Sequence, residues 1–184
     1  WTADSQGFYY GRYDAPESGS TYKEANYYQK LFYHRLGTPQ ADDRLIYERP
    51  DQKEWGFGGK VSDDGRYLII DIWQGTLRKN GIFYVDLEQE PGQVYELLNE
   101  FDAIYGFLGN TGSLFYFSTD LDAPNGRVIA IDVGKPEREN WQEIIPEGRD
   151  ALQSASLVGG KFILVALKDA YNQVMVYSQA GQFE

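Results

Sequence analysis

Along the chain, short runs of apolar and aromatic residues alternate with polar, glycine-bearing turns, a pattern that predicts strands rather than helices. The stretch VSDDGRYLII, Val61 to Ile70, shows the grammar. Asp63, Asp64 and Gly65 can take the positive φ of a hairpin turn, and strand-forming residues follow from Tyr67 onward. The same arrangement returns in DSQGFYYGRY, NTGSLFYFSTD and VGGKFILVALKDA. The glycines read as the turn residues, Gly7, Gly65, Gly112 and Gly160, stand 58, 47 and 48 residues apart. That spacing is near the roughly 40 to 50 residues of a four-stranded propeller blade.

Each repeat continues into a third strand: KLFYHRL, GIFYVDL, RVIAIDV and QVMVYSQ. A fourth follows in the first three repeats as RLIYER, QVYELL and WQEIIP. Ahead of the turn in the last three repeats lie WGFGGKVS, AIYGFLG and ALQSASLVG, whose small residues suit the crowded inner edge of a blade. The expected fold is therefore all-β: a partial β-propeller, an arc of about four blades with incomplete first and last blades, spanning 1–184 as repeats 1–50, 51–100, 101–148 and 149–184. Its strand tally is three, four, four and three. A sandwich of two packed sheets uses similar short strands and stays open as an alternative. YELLNEFDAIYGF can be read with helical spacing, but the repeat phase argues against it, and the polar stretch from Asp14 to Lys30 reads as a long loop.

Fifteen Tyr, ten Phe and four Trp reinforce the sheet reading, because flat rings fill a pleated surface. The net charge of −11 excludes a protein driven onto nucleic acid by counterion release. No apolar run approaches the roughly 20 residues of a membrane helix. The chain contains no Cys, so a disulfide framework or thiolate metal site is excluded, and a cytoplasmic location is the expectation. Trp1 in place of an initiator Met, with no signal-like segment after it, suggests a start inside a longer chain.

Catalytic chemistry is sparse. No Ser sits between glycines in a G-x-S-x-G elbow, and a single His makes a metal cluster or a complete hydrolytic triad within this chain improbable. His34 reads as an ordinary strand residue. The pairs Asp42-Asp43 and Asp63-Asp64 read as turn chemistry rather than as glycosidase carboxylates. No cofactor and no metal site are expected. The aromatic segments GFYYGRY and YYQKLFYH read as packing between sheets. Trp55 and Phe57, beside Gly56, Gly58 and Gly59 on a predicted inner strand, are candidates to face a central channel.

WTADSQGFYYGRY, QKLFYHRLGT with ADDRLIYE after it, GGKVSDDGRYLII and GIFYVDL together resemble the β-propeller domain of the prolyl oligopeptidase family, serine peptidases that cleave short peptides after proline. The resemblance runs over essentially the whole chain and fades after Gly134. It implies a seven-bladed propeller capping an α/β-hydrolase domain that carries the catalytic Ser, Asp and His, none of them in this chain. It also implies a filter that admits short proline-containing peptides and excludes folded proteins. In the family some propeller side chains line the substrate cavity, and by motif position these map to Gly56, beside Phe57, and to Thr76. Family members often carry larger or sulfur-bearing side chains at those two places. A stand-alone interaction propeller remains an alternative, as does a related peptidase, either an oligopeptidase specific for basic residues or a dipeptidyl peptidase. The open first and last blades also expose unpaired strand edges, from which edge-to-edge self-association is expected.

Overall fold

The computed structural model describes residues 1–14, 26–89 and 92–184, so most of the loop read between Asp14 and Lys30 lies outside the described residues. Four antiparallel sheets hold the strands. The first contains β1 (Gly7–Arg12), β2 (Lys30–Arg35) and β3 (Arg44–Glu48), and the second β4 (Trp55–Val61), β5 (Tyr67–Gln74), β6 (Asn80–Asp86) and β7 (Val94–Leu98). The third contains β8 (Tyr105–Thr111), β9 (Leu114–Thr119), β10 (Arg127–Asp132) and β11 (Gln142–Ile145). The last contains β12 (Ala151–Val158), β13 (Lys161–Lys168) and β14 (Tyr171–Ser178). In every sheet spatial order follows chain order, as in a meander, and the sheets hold three, four, four and three strands. Residues 99–104 form no helix, so the repeat phase prevails over the helical spacing there.

The hairpin turns have one chemistry and two backbone solutions. Gly65, Gly112 and Gly160 take positive φ of 78°, 57° and 74°. In the first repeat Ser5 carries the positive φ instead, and Gly7 already begins β1. Gly7 is small for a different reason: a Cβ there would fall 2.4 Å from the His34 carbonyl oxygen. An aspartate closes both of the first two turns. Oδ1 of Asp4 accepts the Gln6 N–H at 3.0 Å, and Oδ1 of Asp64 accepts the Arg66 N–H at 3.1 Å. A second repeated device lies further along each blade. The pairing of third to fourth strand shifts register at Leu31/Phe32, Ile82/Phe83 and Val128/Ile129, which bends the outermost strand at the same place in three sheets.

The chain forms two compact units, 1–100 and 101–184. In the first, alternate residues of β5 (Leu68, Ile70, Ile72) join Leu31, Phe57, Ile82 and Phe83 in the core. Tyr47 stands edge-on to both Phe57 and Phe83, with ring centroids 5.3 and 5.9 Å away. Its two sheets approach closely where they lack side chains. A Cβ on Gly59 would lie 2.7 Å from Cβ of Tyr9, and one on Gly11 would lie 2.7 Å from the Phe57 carbonyl oxygen. Oε1 of Gln29 accepts the Phe57 N–H at 2.6 Å, satisfying a backbone donor of β4. In the second unit Tyr116, Val128, Ala130 and Ile145 pack against Phe162 and Leu164 of β13.

Asp86, at the end of β6, ties a blade's turns together. It is 4% exposed and accepts hydrogen bonds from Arg66 Nη2 (2.9 Å), the Glu88 N–H (3.1 Å) and Gln89 Nε2 (3.2 Å). The Arg66 bond holds its carboxyl below the usual range, with burial opposing and the Glu88 N–H assisting. A depressed acid favours the folded state above its unfolded pKa, about 3.9, and that contribution is lost as pH falls through the folded value. Asp86→Asn is therefore expected to lose about 1–2 kcal/mol at neutral pH. Urea melts from pH 7 to 3 should also show the wild-type advantage shrinking in acid.

Candidate functional site

The residues singled out for a cavity role come together at one end of the second sheet. Antiparallel register sets Gly56 of β4 opposite Trp73 of β5, and Trp73 opposite Asn80 of β6. The indole lies flat on the glycines of β4. A Cβ on Gly56 would be 2.3 Å from Trp73 Cε2, and one on Gly58 would be 3.6 Å from its Cζ3. Trp73 remains 37% exposed, so the group offered to solvent above Gly56 is an indole face. The chain then turns through Gly75, at φ 51°, whose N–H donates to the Glu54 carbonyl at 3.3 Å, and presents Thr76 exposed.

Phe57 corrects the channel-facing expectation. It is 1% exposed and packs within its unit against Tyr47, because alternation along β4 turns its ring to the face opposite the one occupied by its neighbours. Trp55 is likewise buried, with the Arg49 guanidinium 4.7 Å over its ring. Trp73 is the residue that sequence reasoning missed. Its signal was available: glycines at alternate positions of a strand leave a groove that a cross-strand aromatic fills, and the hairpin count places Trp73 there. Asp71 lies two residues before it on the same face of β5. Asp71 keeps surface in water, yet the protein around its carboxyl raises its pKa, while Asn80 Nδ2, donating to Oδ1 at 2.7 Å, pulls the other way.

A second polar cluster sits on the first sheet, where the turn reading of Asp43 is incomplete. Its carboxylate reaches across the sheet, accepting the Tyr10 hydroxyl at 2.5 Å on Oδ2 and facing His34 Nδ1 at 2.7 Å with Oδ1. Burial pushes the Asp43 carboxyl up, but the bonds to Tyr10 and His34 outweigh it and leave the pKa below the ordinary range. Burial, then the Asp43 contact, raises Tyr10. The Phe8 ring packs 5.2 Å from the imidazole. His34 is a residue of β2, and its imidazole and the Tyr10 hydroxyl share the Asp43 carboxylate. Among the described residues no group of three or more His, Asp or Glu could hold a metal ion. No helix there is long and apolar enough to cross a membrane.

The family model described as "Prolyl oligopeptidase, N-terminal beta-propeller domain" matches residues 1–183. The chain belongs to this family. The prolyl oligopeptidase A of Galerina marginata is 37% identical over 98% of this chain and 26% of its own length. The prolyl endopeptidase of Elizabethkingia meningoseptica is 31% identical over 99% of this chain and 25% of its own length. Among solved structures, the prolyl oligopeptidase B of Galerina marginata bound to a 35mer hydrolysis and macrocyclization substrate superposes with a TM-score of 0.89, at 30% identity, over 100% of this chain and 26% of that one. The chain spans about a quarter of the length of the curated relatives it matches, and the family model it matches is that of their N-terminal β-propeller domain.

The fit of indole to glycine floor is open to a double-mutant cycle. Gly56→Ala must displace Trp73 and is expected to destabilise the fold by about 1–3 kcal/mol. Most of that loss should disappear when the same change is made in a Trp73→Ala background, because the two residues share one contact. Urea denaturation of the four proteins in the cycle gives the coupling directly.

Proposed function

We propose that this propeller serves a serine endopeptidase that cleaves short peptides after proline, by limiting which substrates reach the catalytic centre. The observation that carries the reading is the family match across residues 1–183, together with the absence of a G-x-S-x-G elbow from the chain. The division of labour follows from chemistry. An acyl transfer needs a nucleophile, a base and oxyanion donors, and this chain supplies only the scaffold. The Ser, Asp and His belong to an α/β-hydrolase domain of the whole protein. A relative whose solved structure holds a 35mer substrate supports peptides as the substrate class.

Within that enzyme, the end of the second sheet forms part of the cavity wall. Gly56 contributes through the indole it supports, Thr76 directly, and Phe57 as packing beneath. The test compares two substrates of the full-length protein: a short proline-containing peptide, and the same sequence displayed in a loop of a stably folded protein. The peptide is expected to be cut after proline and the folded protein to be spared. Equal cleavage of both, or cleavage elsewhere, overturns the reading. The isolated 184-residue chain is expected to be inactive on either substrate.

Separated from the rest of its ring, the chain has strand edges free to pair. The edge of β14 is already bonded at Val176 and Ser178 by Glu184 and Gln182, and its earlier half, where Val174 is 62% exposed, is the part expected to favour self-association of the isolated chain. Light scattering across a concentration series should show a mass that rises with concentration, and a strict monomer overturns this part.

A further inference from the structure

Trp73 and Asp71 of β5 carry chemistry that packing does not use. One face of the indole rests on Gly56 and Gly58, and with Trp73 37% exposed the ring also meets solvent. An indole face is the negative pole of the ring quadrupole, and it attracts cations more strongly than the other aromatic side chains do. Asn80, directly opposite Trp73, donates through Nδ2 to Oδ1 of Asp71 at 2.7 Å, so indole, amide and carboxylate share one face of the sheet.

Asp71 is exposed, and among the described residues no cation pairs with it. Burial of the carboxyl by the protein around it pushes the pKa up, against bonds from two neutral groups, the Asn80 amide and the Ile72 backbone. A carboxylate kept charged at that cost gains from a cation brought beside it. Residues two apart on a strand are separated by about 7 Å. One ammonium or guanidinium on a flexible stem can therefore lie on the indole and face the carboxylate together.

We propose that Trp73 and Asp71 form a subsite for a basic side chain of the peptide substrate, the cation lying between the indole and the carboxylate. The subsite rests on the peptidase reading and adds a preference that Gly56 and Thr76 cannot supply, since neither has a ring or a charge. It holds a side chain remote from the bond that breaks, so the preference falls on KM rather than on kcat.

The test measures kcat and KM of the full-length protein on short peptides with one proline, in which Lys or norleucine is stepped through the flanking positions. The net charge of −11 attracts any cationic peptide, so a general field favours Lys everywhere, whereas a subsite favours it at one position. At that position Lys is expected to raise kcat/KM about tenfold over norleucine, through KM. Asp71→Asn and Trp73→Leu are each expected to cut this ratio at least about threefold. Cleavage after proline with no position favouring Lys, a gain spread evenly over all positions, or a ratio unchanged in Asp71→Asn overturns the subsite and leaves the peptidase reading standing. Failure to cut any peptide after proline overturns both. Should Trp73→Leu fail to fold, Asp71→Asn, which keeps the shape of an exposed side chain, decides.

Discussion

The close approach of backbone to backbone along the inner strand is the constraint on which the first unit depends. β4 passes against β1 where Gly59 faces Tyr9 and Gly11 faces the Phe57 carbonyl, and a methyl group at either position would collide at 2.7 Å. Glycine in a strand is costly by itself, since it loses more conformational entropy on folding and brings no side chain to the core. Here the cost is offset by what the approach permits. Tyr47 packs edge-on to both Phe57 and Phe83, and the Gln29 amide oxygen reaches a backbone donor of β4. The bare strand then needs a cover on its other side, which Trp73 provides.

That arrangement ties the packing of the blade to its candidate function. The indole is fixed because it rests on Gly56 and Gly58, and it is exposed because the strand end has no further cover. A rigid aromatic surface has little side-chain entropy left to lose when a ligand meets it, which makes it a better wall for a peptide cavity than a flexible chain. The turns at the opposite ends of the strands are built for stability instead. Asp4, Asp64 and Asp86 each hold a backbone N–H two residues on, and Asp86 adds the Arg66 guanidinium.

The polar clusters illustrate how far a linear reading reaches. Asp64 was legible as a turn residue because its hydrogen bond is local. Asp43 was not, because its partner Tyr10 lies 33 residues earlier and meets it only once β1, β2 and β3 are assembled. The unpartnered, buried Nε of Arg127 is invisible in sequence for a similar reason: it depends on how β10 packs against its neighbours and on which nitrogen Glu143 takes. Phe57 and Trp73 show the same limit within one blade. That both lie on strands was legible, but which face met the core depended on the neighbouring sheet.

By itself the sequence determined the repeat, the strand count of each sheet, the turn positions at Gly65, Gly112 and Gly160, and the family. These rest on local φ preference, on side-chain alternation and on spacing, all of which are properties of neighbouring residues. Tertiary structure alone decided that Ser5 rather than Gly7 makes the first turn, that Phe57 is core while Trp73 forms the surface above Gly56, and that His34 shares a carboxylate with Tyr10. Each of those outcomes is set by contacts between strands distant in the chain, whose steric and electrostatic terms come into being only when the sheets are brought to within van der Waals distance.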